Sequence, residues 1–252
     1  MNRSLEQKNR ELERSNDELA SFSYVASHDL QEPLRKIQTF SKLIIEKDLA
    51  ALSEKGKNYL KRIESASQRM QLLIDDLLTF SRTSTYPKNF ALADLNILLE
   101  EVKRELKDAI DEKNVVIESG SLPVARVIAF QLRQLLENLI FNSIKYSKPK
   151  VPPCIQITYD LVPGLSIKIP GVLADKSYHK LSIIDNGIGF NQKYASRIFE
   201  LFQRLHGKQE YPGTGLGLAI CKKIVENHHG FIEAHGEPER GAIFMIYFPS
   251  DL

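Results

Sequence analysis

The stretch from Gln134 to Tyr146 constrains the fold most, because its apolar residues recur at helical spacing. Four of them share one side of a helix with Leu132, which lies just before the stretch: Leu135, Leu136, Leu139 and Ile140. This pattern predicts an amphipathic helix with one buried face. Asn138 and Asn142 stack on another side, and Lys145 continues it. Taken alone, such a face is either an ordinary solvated surface or a site for an anion or a hydrated metal; the solvated surface is commoner.

The composition is that of a soluble protein with a real core. The 252 residues are 42% hydrophobic and 26% charged, and the net charge of +2 gives no reason to expect nucleic-acid binding. No apolar run reaches the roughly 20 residues of a membrane span, and the first residues are too polar for a signal peptide. We therefore expect a cytoplasmic chain with no membrane span. Cys154 and Cys221 lack metal-site spacing, which indicates ordinary reduced thiols.

The first 83 residues read as helices. Leu5, Leu12 and Leu19 recur every seven residues with asparagines between them, which predicts a coiled-coil linker over residues 1–20, with a single solvated helix as the alternative. Residues 21–83 indicate a helical hairpin whose first helix bends at Pro33 and whose second begins near Glu54. One hairpin cannot cover both apolar stripes, so we expect a homodimer with a four-helix bundle. Residues 84–89 form a linker by composition.

Residues 90–252 mix helices and strands without strict alternation, which predicts an α+β sandwich with helices on one face of a largely antiparallel sheet. Asp94 is the expected N-cap of a helix over residues 95–111. Strands are expected over residues 115–117, 124–127, 155–159, 167–169, 181–184 and 243–248. The prolines of residues 147–180 suggest a hairpin extension of unassigned role.

Two glycine-rich stretches lie in this second part. Asp185–Gly189 follows a strand, where glycines let the backbone turn sharply and approach a ligand. Gly213–Gly217 opens a helix, whose free amide groups and positive dipole end favour a phosphate. The stretch lacks the Lys-Ser/Thr of a P-loop and the βαβ context of a dinucleotide fold. Arg204, between the two stretches, is a candidate phosphate contact.

Four blocks occur in a fixed order: His28–Leu34, the Asn138/Asn142 helix, Asp185–Gly189 and Gly213–Gly217. Together they resemble the H, N, G1 and G2 boxes of sensor histidine kinases, and the phenylalanine-rich segment before the last resembles the F box. The His28–Leu34 form is similar to that of phytochrome-like kinases. The resemblance implies a dimerising helical hairpin over residues 21–83 and, over 90–252, the ATP-binding fold (GHKL type) shared with gyrase, Hsp90 and MutL.

The resemblance also implies an activity. His28 would attack the γ-phosphate of ATP while Asp29 orients or deprotonates its imidazole. The phosphoryl group would then pass to an aspartate of a response-regulator receiver domain, and an upstream sensory domain absent from this chain would control the reaction.

The nucleotide site follows from the same resemblance. Asn142 would hold Mg²⁺ with Asn138 beside it, Lys145 and Arg204 would contact phosphate, and Tyr146 would pack near the adenine. Asp185 would accept a hydrogen bond from the adenine amino group. The glycine loops would shape the pocket and form a lid through Gly187, Gly189, Gly213, Thr214, Gly215, Leu216 and Gly217.

One position departs from the family pattern. Four residues after His28, where the family commonly has Thr or Asn to position water, this chain has Glu32. We therefore expect weak or absent phosphatase activity toward the receiver. Two other functions remain open: an ATPase of the same fold that works by conformational change, which leaves His28 idle, and a dimeric scaffold with a degenerate nucleotide site.

Overall fold

The computed structural model describes residues 27, 29–85, 89–205, 211 and 213–251. The predicted coiled coil over residues 1–20, His28 and part of the predicted linker lie outside the described residues. The chain divides into two compact units, residues 1–86 with 212–216 and residues 87–211 with 217–252.

The first unit is a helical hairpin. Helix α1 covers residues 29–47 and runs through Pro33, a short 3-10 turn follows at Leu49–Ala51, and helix α2 is Glu54–Thr85. Ser53 caps α2, since its hydroxyl accepts a hydrogen bond from the Gly56 amide at 3.1 Å. The Gln31 amide donates to Asp75 on the other helix at 3.3 Å.

The two helices bury little of their apolar surface against each other. Leu34, Leu60 and Ile74 are buried, and a larger set of apolar side chains is exposed: Leu30, Ile37, Phe40, Leu43, Ile44, Ile63, Met70, Leu72 and Leu73. A soluble protein rarely leaves a contiguous apolar stripe in water without a partner. The hairpin therefore has the surface that the sequence predicts for half of a larger bundle.

The second unit has helices α3 (Leu95–Glu105), α4 (Lys107–Lys113), α5 (Ala129–Lys145) and α6 (Gly217–Asn227). Its strands are β1 (Ala91–Asp94), β2 (Val116–Ser119), β3 (Val124–Val127), β4 (Cys154–Pro163), β5 (Ser177–Asp185), β6 (Phe231–Glu237) and β7 (Gly241–Pro249). Strands β1 and β3 form an antiparallel pair. The larger sheet has the order β2-β4-β5-β7-β6, and only the β2–β4 pairing is parallel. The predicted fold class, a helical hairpin followed by an α/β sandwich, is confirmed.

Several predicted elements need correction. Residues 167–169 are not a strand, because the chain turns through a 3-10 helix at Gly164–Ser166 and Pro170 supplies no amide hydrogen. The expected helix over residues 95–111 ends at Glu105, and a second helix begins at Lys107 after a turn at Leu106, which is buried. The predicted cap is correct, since Asp94 accepts from the Asn96 amide at 2.8 Å.

Strands β4 and β5 explain the long region between α5 and Asp185. They pair from Ile155–Asp185 to Pro163–Ser177, so the extension is an antiparallel hairpin with a loop over residues 164–176. The Tyr178 hydroxyl accepts from the Leu173 amide at 3.1 Å, which holds this loop against the hairpin.

The core of the second unit forms where α5 packs between α3 and α6 and against β5. All five leucine and isoleucine side chains of the predicted apolar stripe are at most 2% exposed. Cys154 and Cys221 are free thiols as predicted, and burial raises the pKa of Cys221 to about 12. None of the helices in the described part of the chain is long and apolar enough to cross a membrane.

Candidate functional site

Helix α5 carries the polar residues of the site, and it is fixed at both ends. At its N-terminus, the Ile128 amide donates to Nε2 of the buried His228 at 2.9 Å. At its C-terminus, the Lys113 ammonium donates to the Ile144 carbonyl at 2.8 Å, where a cation also favours the helix dipole. These two contacts hold the helix that presents Asn142 and Tyr146 to the pocket.

A pocket opens beside the C-terminal half of α5. It is open to solvent, and the space inside it together with its open mouth is about 620 Å³. Its lining is mainly apolar with a few polar groups: Asn142, Tyr146, Asp185, Gly189, Phe190, Ile198, Gln203, Arg204, Leu205, Leu218, Ala242 and Phe244. Such a lining suits a flat organic ligand whose orientation is fixed by a small number of hydrogen bonds.

Asp185 ends β5 with its carboxyl group held by three donors. Oδ1 accepts from the Gly187 amide at 2.9 Å and from the Ala242 amide at 3.1 Å. Oδ2 lies 3.2 Å from the hydroxyl of Ser143. Burial raises the pKa of this carboxyl group above its ordinary value, and the three hydrogen bonds oppose that increase. The pocket therefore contains a rigid acceptor that is oriented before any ligand binds.

Glycines let two backbone segments approach each other closely beside Asp185. Gly189 has φ +62°, and a Cβ there would lie 2.0 Å from the Glu237 carbonyl oxygen. Gly241 has φ +108°, and a Cβ there would lie 1.9 Å from the Asp185 carbonyl oxygen. No side chain fits either position, so these glycines bring the loop after β5 and the turn before β7 together.

Arg204 and two tyrosines form one polar side of the site. The Arg204 guanidinium donates to the Tyr211 carbonyl at 2.6 Å, and the Tyr146 and Tyr211 ring centroids are 5.0 Å apart. Burial raises the pKa of Tyr146, which the Arg204 charge partly offsets, so the phenol is neutral near pH 7. Arg204 thus places a permanent positive charge at the pocket.

The two asparagines of α5 differ in their surroundings. The Asn138 amide nitrogen donates to the Gly217 carbonyl at 3.4 Å, which ties α5 to the first residue of α6. Asn142 lines the pocket, and in the described part of the chain its side-chain amide has no hydrogen bond. Its carbonyl oxygen is the type of neutral ligand that Mg²⁺ accepts beside phosphate oxygens and water.

The structure brings together Asn142, Tyr146, Asp185, Gly189 and Arg204 as pocket-lining residues. Gly187 supports the same loop, because a Cβ there would lie 2.6 Å from the Tyr146 carbonyl oxygen. Among the described residues, the lining includes neither Lys145 nor residues 213–217. The Lys145 ammonium lies 4.6 Å from the centroid of the Tyr146 ring.

The remaining predicted residues belong to the other unit. Gly213, Thr214, Gly215 and Leu216 group with it, and the Leu216 amide donates to the Thr214 hydroxyl at 3.3 Å to form a local turn. Asp29 is an exposed residue of α1.

Sequence reasoning missed Ser143, Ala242 and Gly241, which hold or accommodate Asp185. Ser143 is next to Asn142, and its position one residue along the helix could have suggested that it faces the sheet. Gly241 and Ala242 gave no local signal, because they reach Asp185 only through the pairing of β5 with β7. The apolar lining from Phe190, Leu218 and Phe244 was also invisible in sequence, since each belongs to a different element.

Comparisons with known proteins match both parts of the chain. Residues 18–85 match the His Kinase A (phospho-acceptor) domain, and residues 128–252 match the histidine kinase-, DNA gyrase B- and HSP90-like ATPase family. The phytochrome-like protein Cph1 of Synechocystis sp. is 38% identical over 240 residues, which are 95% of this chain and 30% of that protein. The chain thus spans less than a third of the length of this curated relative.

Two solved structures share the fold. Full-length ShkA in complex with AMPPNP has a TM-score of 0.65 and 23% identity, covering 91% of this chain and 45% of ShkA. Histidine kinase ThkA in complex with the response regulator protein TrrA has a TM-score of 0.60 and 21% identity, covering 96% of this chain and 66% of that one.

Proposed function

The chain belongs to the sensor histidine kinases, and from that premise we propose that it transfers the γ-phosphoryl group of ATP to His28. The phosphoryl group then passes to an aspartate of a response-regulator receiver domain. In this proposal residues 21–83 are the dimerising phospho-acceptor hairpin, residues 84–89 are a linker, and residues 90–252 bind ATP.

The observation that carries the proposal is the Asp185 carboxylate, held by three donors, in a mainly apolar pocket that is open to solvent. A carboxylate held by three donors is an acceptor for the amino group of adenine, and the apolar lining from Ile198, Leu218 and Phe244 suits the faces of the base. Arg204 and Asn142 lie on the same lining, where charge and a free amide oxygen favour the phosphates.

Magnesium fits the residues around Asn142. In the described residues no three His, Cys, Asp or Glu side chains group together as a metal site. Mg²⁺ does not need such a cluster, because it keeps several waters and takes the rest of its ligands from phosphates and one or two side chains. Bound there, it would neutralise charge on the phosphates; Asn142 would hold it and Asn138 would keep α5 in place against α6.

The acceptor chemistry requires a neutral imidazole at His28, because only an unprotonated nitrogen has the lone pair that attacks phosphorus. The new N–P bond forms as the bond to the ADP oxygen breaks, and the ring proton leaves to a base. Asp29, adjacent in sequence, is the residue we assign to orient the ring and receive this proton. Arg204 would stabilise charge on the phosphates during transfer.

The partners follow from the same proposal. ThkA was solved in complex with a response regulator protein, and we infer a receiver domain as the partner of this chain. Because the curated relative is about three times as long, we also infer an upstream sensory domain in the whole protein. A kinase that uses ATP and a receiver of this kind works in the cytoplasm, which is the location we propose.

We infer that the chain forms a homodimer through the exposed apolar stripe of α1 and α2. Phe40 is 62% exposed and Ile63 is 47% exposed in the isolated hairpin. The two helices of a second hairpin would cover these side chains and complete a bundle of four helices. Phe40→Glu should give monomers in sedimentation velocity, whereas a wild-type chain that is monomeric at micromolar concentration would contradict the dimer.

The stability of the transferred label tests the proposal against a conformational ATPase. After incubation with γ-labelled ATP and Mg²⁺, a histidine kinase retains label that is lost in acid and stable in base. A conformational ATPase releases labelled phosphate and retains none, and a scaffold does neither. Retained label that survives acid would place the phosphoryl group on another residue type and contradict the proposal.

A further inference from the structure

Ser143 lies one residue after Asn142 on the buried side of α5, and its hydroxyl faces two acceptors. Its Oγ is 3.2 Å from Oδ2 of Asp185 and 3.1 Å from the Leu139 carbonyl oxygen. The side chain is 3% exposed, so water does not replace either contact. Oδ1 of Asp185 is already occupied by the Gly187 and Ala242 amides, which leaves Oδ2 as the oxygen available to a ligand.

A serine hydroxyl has one proton, so it can donate to only one of these acceptors at a time. An ionised carboxylate is the stronger acceptor, and the proton then points to Oδ2 of Asp185. If Asp185 were protonated, its own hydroxyl would donate to Ser143, and Ser143 would turn to the Leu139 carbonyl. Each state of Ser143 thus corresponds to one protonation state of Asp185.

We infer that Ser143 is a positioning residue that holds the Asp185 carboxylate in the ionised, correctly aimed form required by a base with an exocyclic amino group. The inference rests on the proposed nucleotide binding and adds a residue that selects between 6-amino and 6-oxo purines. With the carboxylate ionised, Oδ2 attracts an amino group and repels a carbonyl oxygen. Without Ser143, the carboxylate is less well aimed and gains a proton more readily.

The surroundings of Asp185 make this contact effective. The titratable groups that line the same pocket are Tyr146, which directly follows α5, and Arg204, while β7 and α6 contribute the apolar residues Ala242, Phe244 and Leu218. Burial raises the pKa of Asp185, and the Ser143 hydrogen bond is one of the three that oppose this. Loss of the Ser143 hydrogen bond should raise the pKa of Asp185 further. When the pH is lowered, the affinity for the ligand should therefore begin to fall at a higher pH than in the wild type.

The test is calorimetric titration of the full chain with ADP and with inosine diphosphate, which carries a 6-oxo group, between pH 5 and 8. Wild type should bind ADP more tightly. Ser143→Ala should weaken ADP binding at pH 7.5 about fivefold and move the acid decline up by about one pH unit, the order expected for one hydrogen bond to a charged group. The inosine diphosphate affinity should change less than twofold, because its carbonyl gains nothing from an ionised Asp185.

Two further variants separate positioning from folding. Ser182→Ala also removes a buried serine hydroxyl, but Ser182 lies in β5 on the face of the strand opposite to Asp185. This variant should leave the affinities for ADP and inosine diphosphate and the pH profile unchanged. Ser143→Cys keeps a weak donor and should give an intermediate pH profile. Unaltered ADP affinity and pH profile in folded Ser143→Ala or Ser143→Cys would overturn the inference. A wild-type chain that binds neither nucleotide would instead overturn the proposed function itself.

Discussion

His228 offers the sharpest test of how the fold positions α5. The ring is 2% exposed, Nδ1 donates to the Ile224 carbonyl at 2.8 Å, and Nε2 accepts from the Ile128 amide at 2.9 Å. Because each nitrogen has one role, the neutral tautomer with the proton on Nδ1 is required. The ring also contacts Phe90 and Phe248, with centroid distances of 5.4 and 6.4 Å. We predict that His228→Ala destabilises the N-terminus of α5.

The magnitude follows from what the variant leaves behind. The Ile128 amide, in a residue that is 1% exposed, would lose its partner at a cost of about 1–3 kcal/mol. The cavity from the missing ring would add about 2 kcal/mol or more. The Ile224 carbonyl keeps a hydrogen bond from the backbone amide of residue 228 at 3.2 Å and adds little. The free energy of local unfolding at the N-terminus of α5 should therefore fall by about 3–5 kcal/mol.

Hydrogen exchange measured by mass spectrometry can detect this loss locally. Peptides from residues 129–145 should lose protection in His228→Ala, whereas peptides from residues 54–85 should serve as an internal reference. The matched control is His229→Ala, because His229 is the adjacent histidine but is exposed. An effect of His228→Ala no larger than that of His229→Ala would show that His228 does not hold the N-terminus of α5.

Three other predictions concern Asp185, the glycine contacts and the acceptor helix. Asp185→Asn should abolish nucleotide binding without lowering the melting temperature of the nucleotide-free protein at pH 7. Burial raises the pKa of Asp185 in the folded state, so ionisation of its carboxyl group lowers the free energy of unfolding as the pH rises through that pKa. A clear loss of stability in the variant would contradict this prediction. Gly241→Ala should lower the free energy of unfolding by about 3 kcal/mol or more, since the new Cβ would lie 1.9 Å from the Asp185 carbonyl oxygen. The control Gly120→Ala places its Cβ in open space and should change the free energy of unfolding by less than about 1 kcal/mol. Equal effects of the two variants would contradict the importance of the Gly241 contact. Glu32→Thr should increase dephosphorylation of the receiver. It should change stability little, because the Glu32–Lys36 ion pair that it removes is exposed. Robust phosphatase activity of the wild type that Glu32→Ala abolishes would contradict this prediction.

Local patterns in the sequence predicted the elements whose stability is local. The apolar stripe of α5, the start of α2 near Glu54 and the Asp94 cap each depend on residues within one or two helical turns, and each is present as expected. The break at Leu106 was not predictable in this way. Helical propensity continues through that residue, and the turn is imposed by packing that buries Leu106.

The same difference between contacts that are local in the chain and contacts that are distant explains which site residues could be predicted. Asp185 and its glycine loop were predictable because the acid, the turn and the strand end are adjacent in the chain. Ser143, Gly241 and Ala242 were not, because they reach Asp185 across 42–57 residues through the packing of α5 on β5 and the β5–β7 register. The roles assigned to His28, Asp29 and Lys145 stay predictions of the family resemblance.

The proposed function depends above all on the transfer of the γ-phosphoryl group of ATP to His28. The most direct measurement incubates wild type, His28→Gln and the control His229→Gln with γ-labelled ATP and Mg²⁺ and compares retained label. We expect label on wild type and His229→Gln and none on His28→Gln. Equal label on all three would place the nucleophile elsewhere, and no label on any of them despite bound nucleotide would contradict autophosphorylation by this chain.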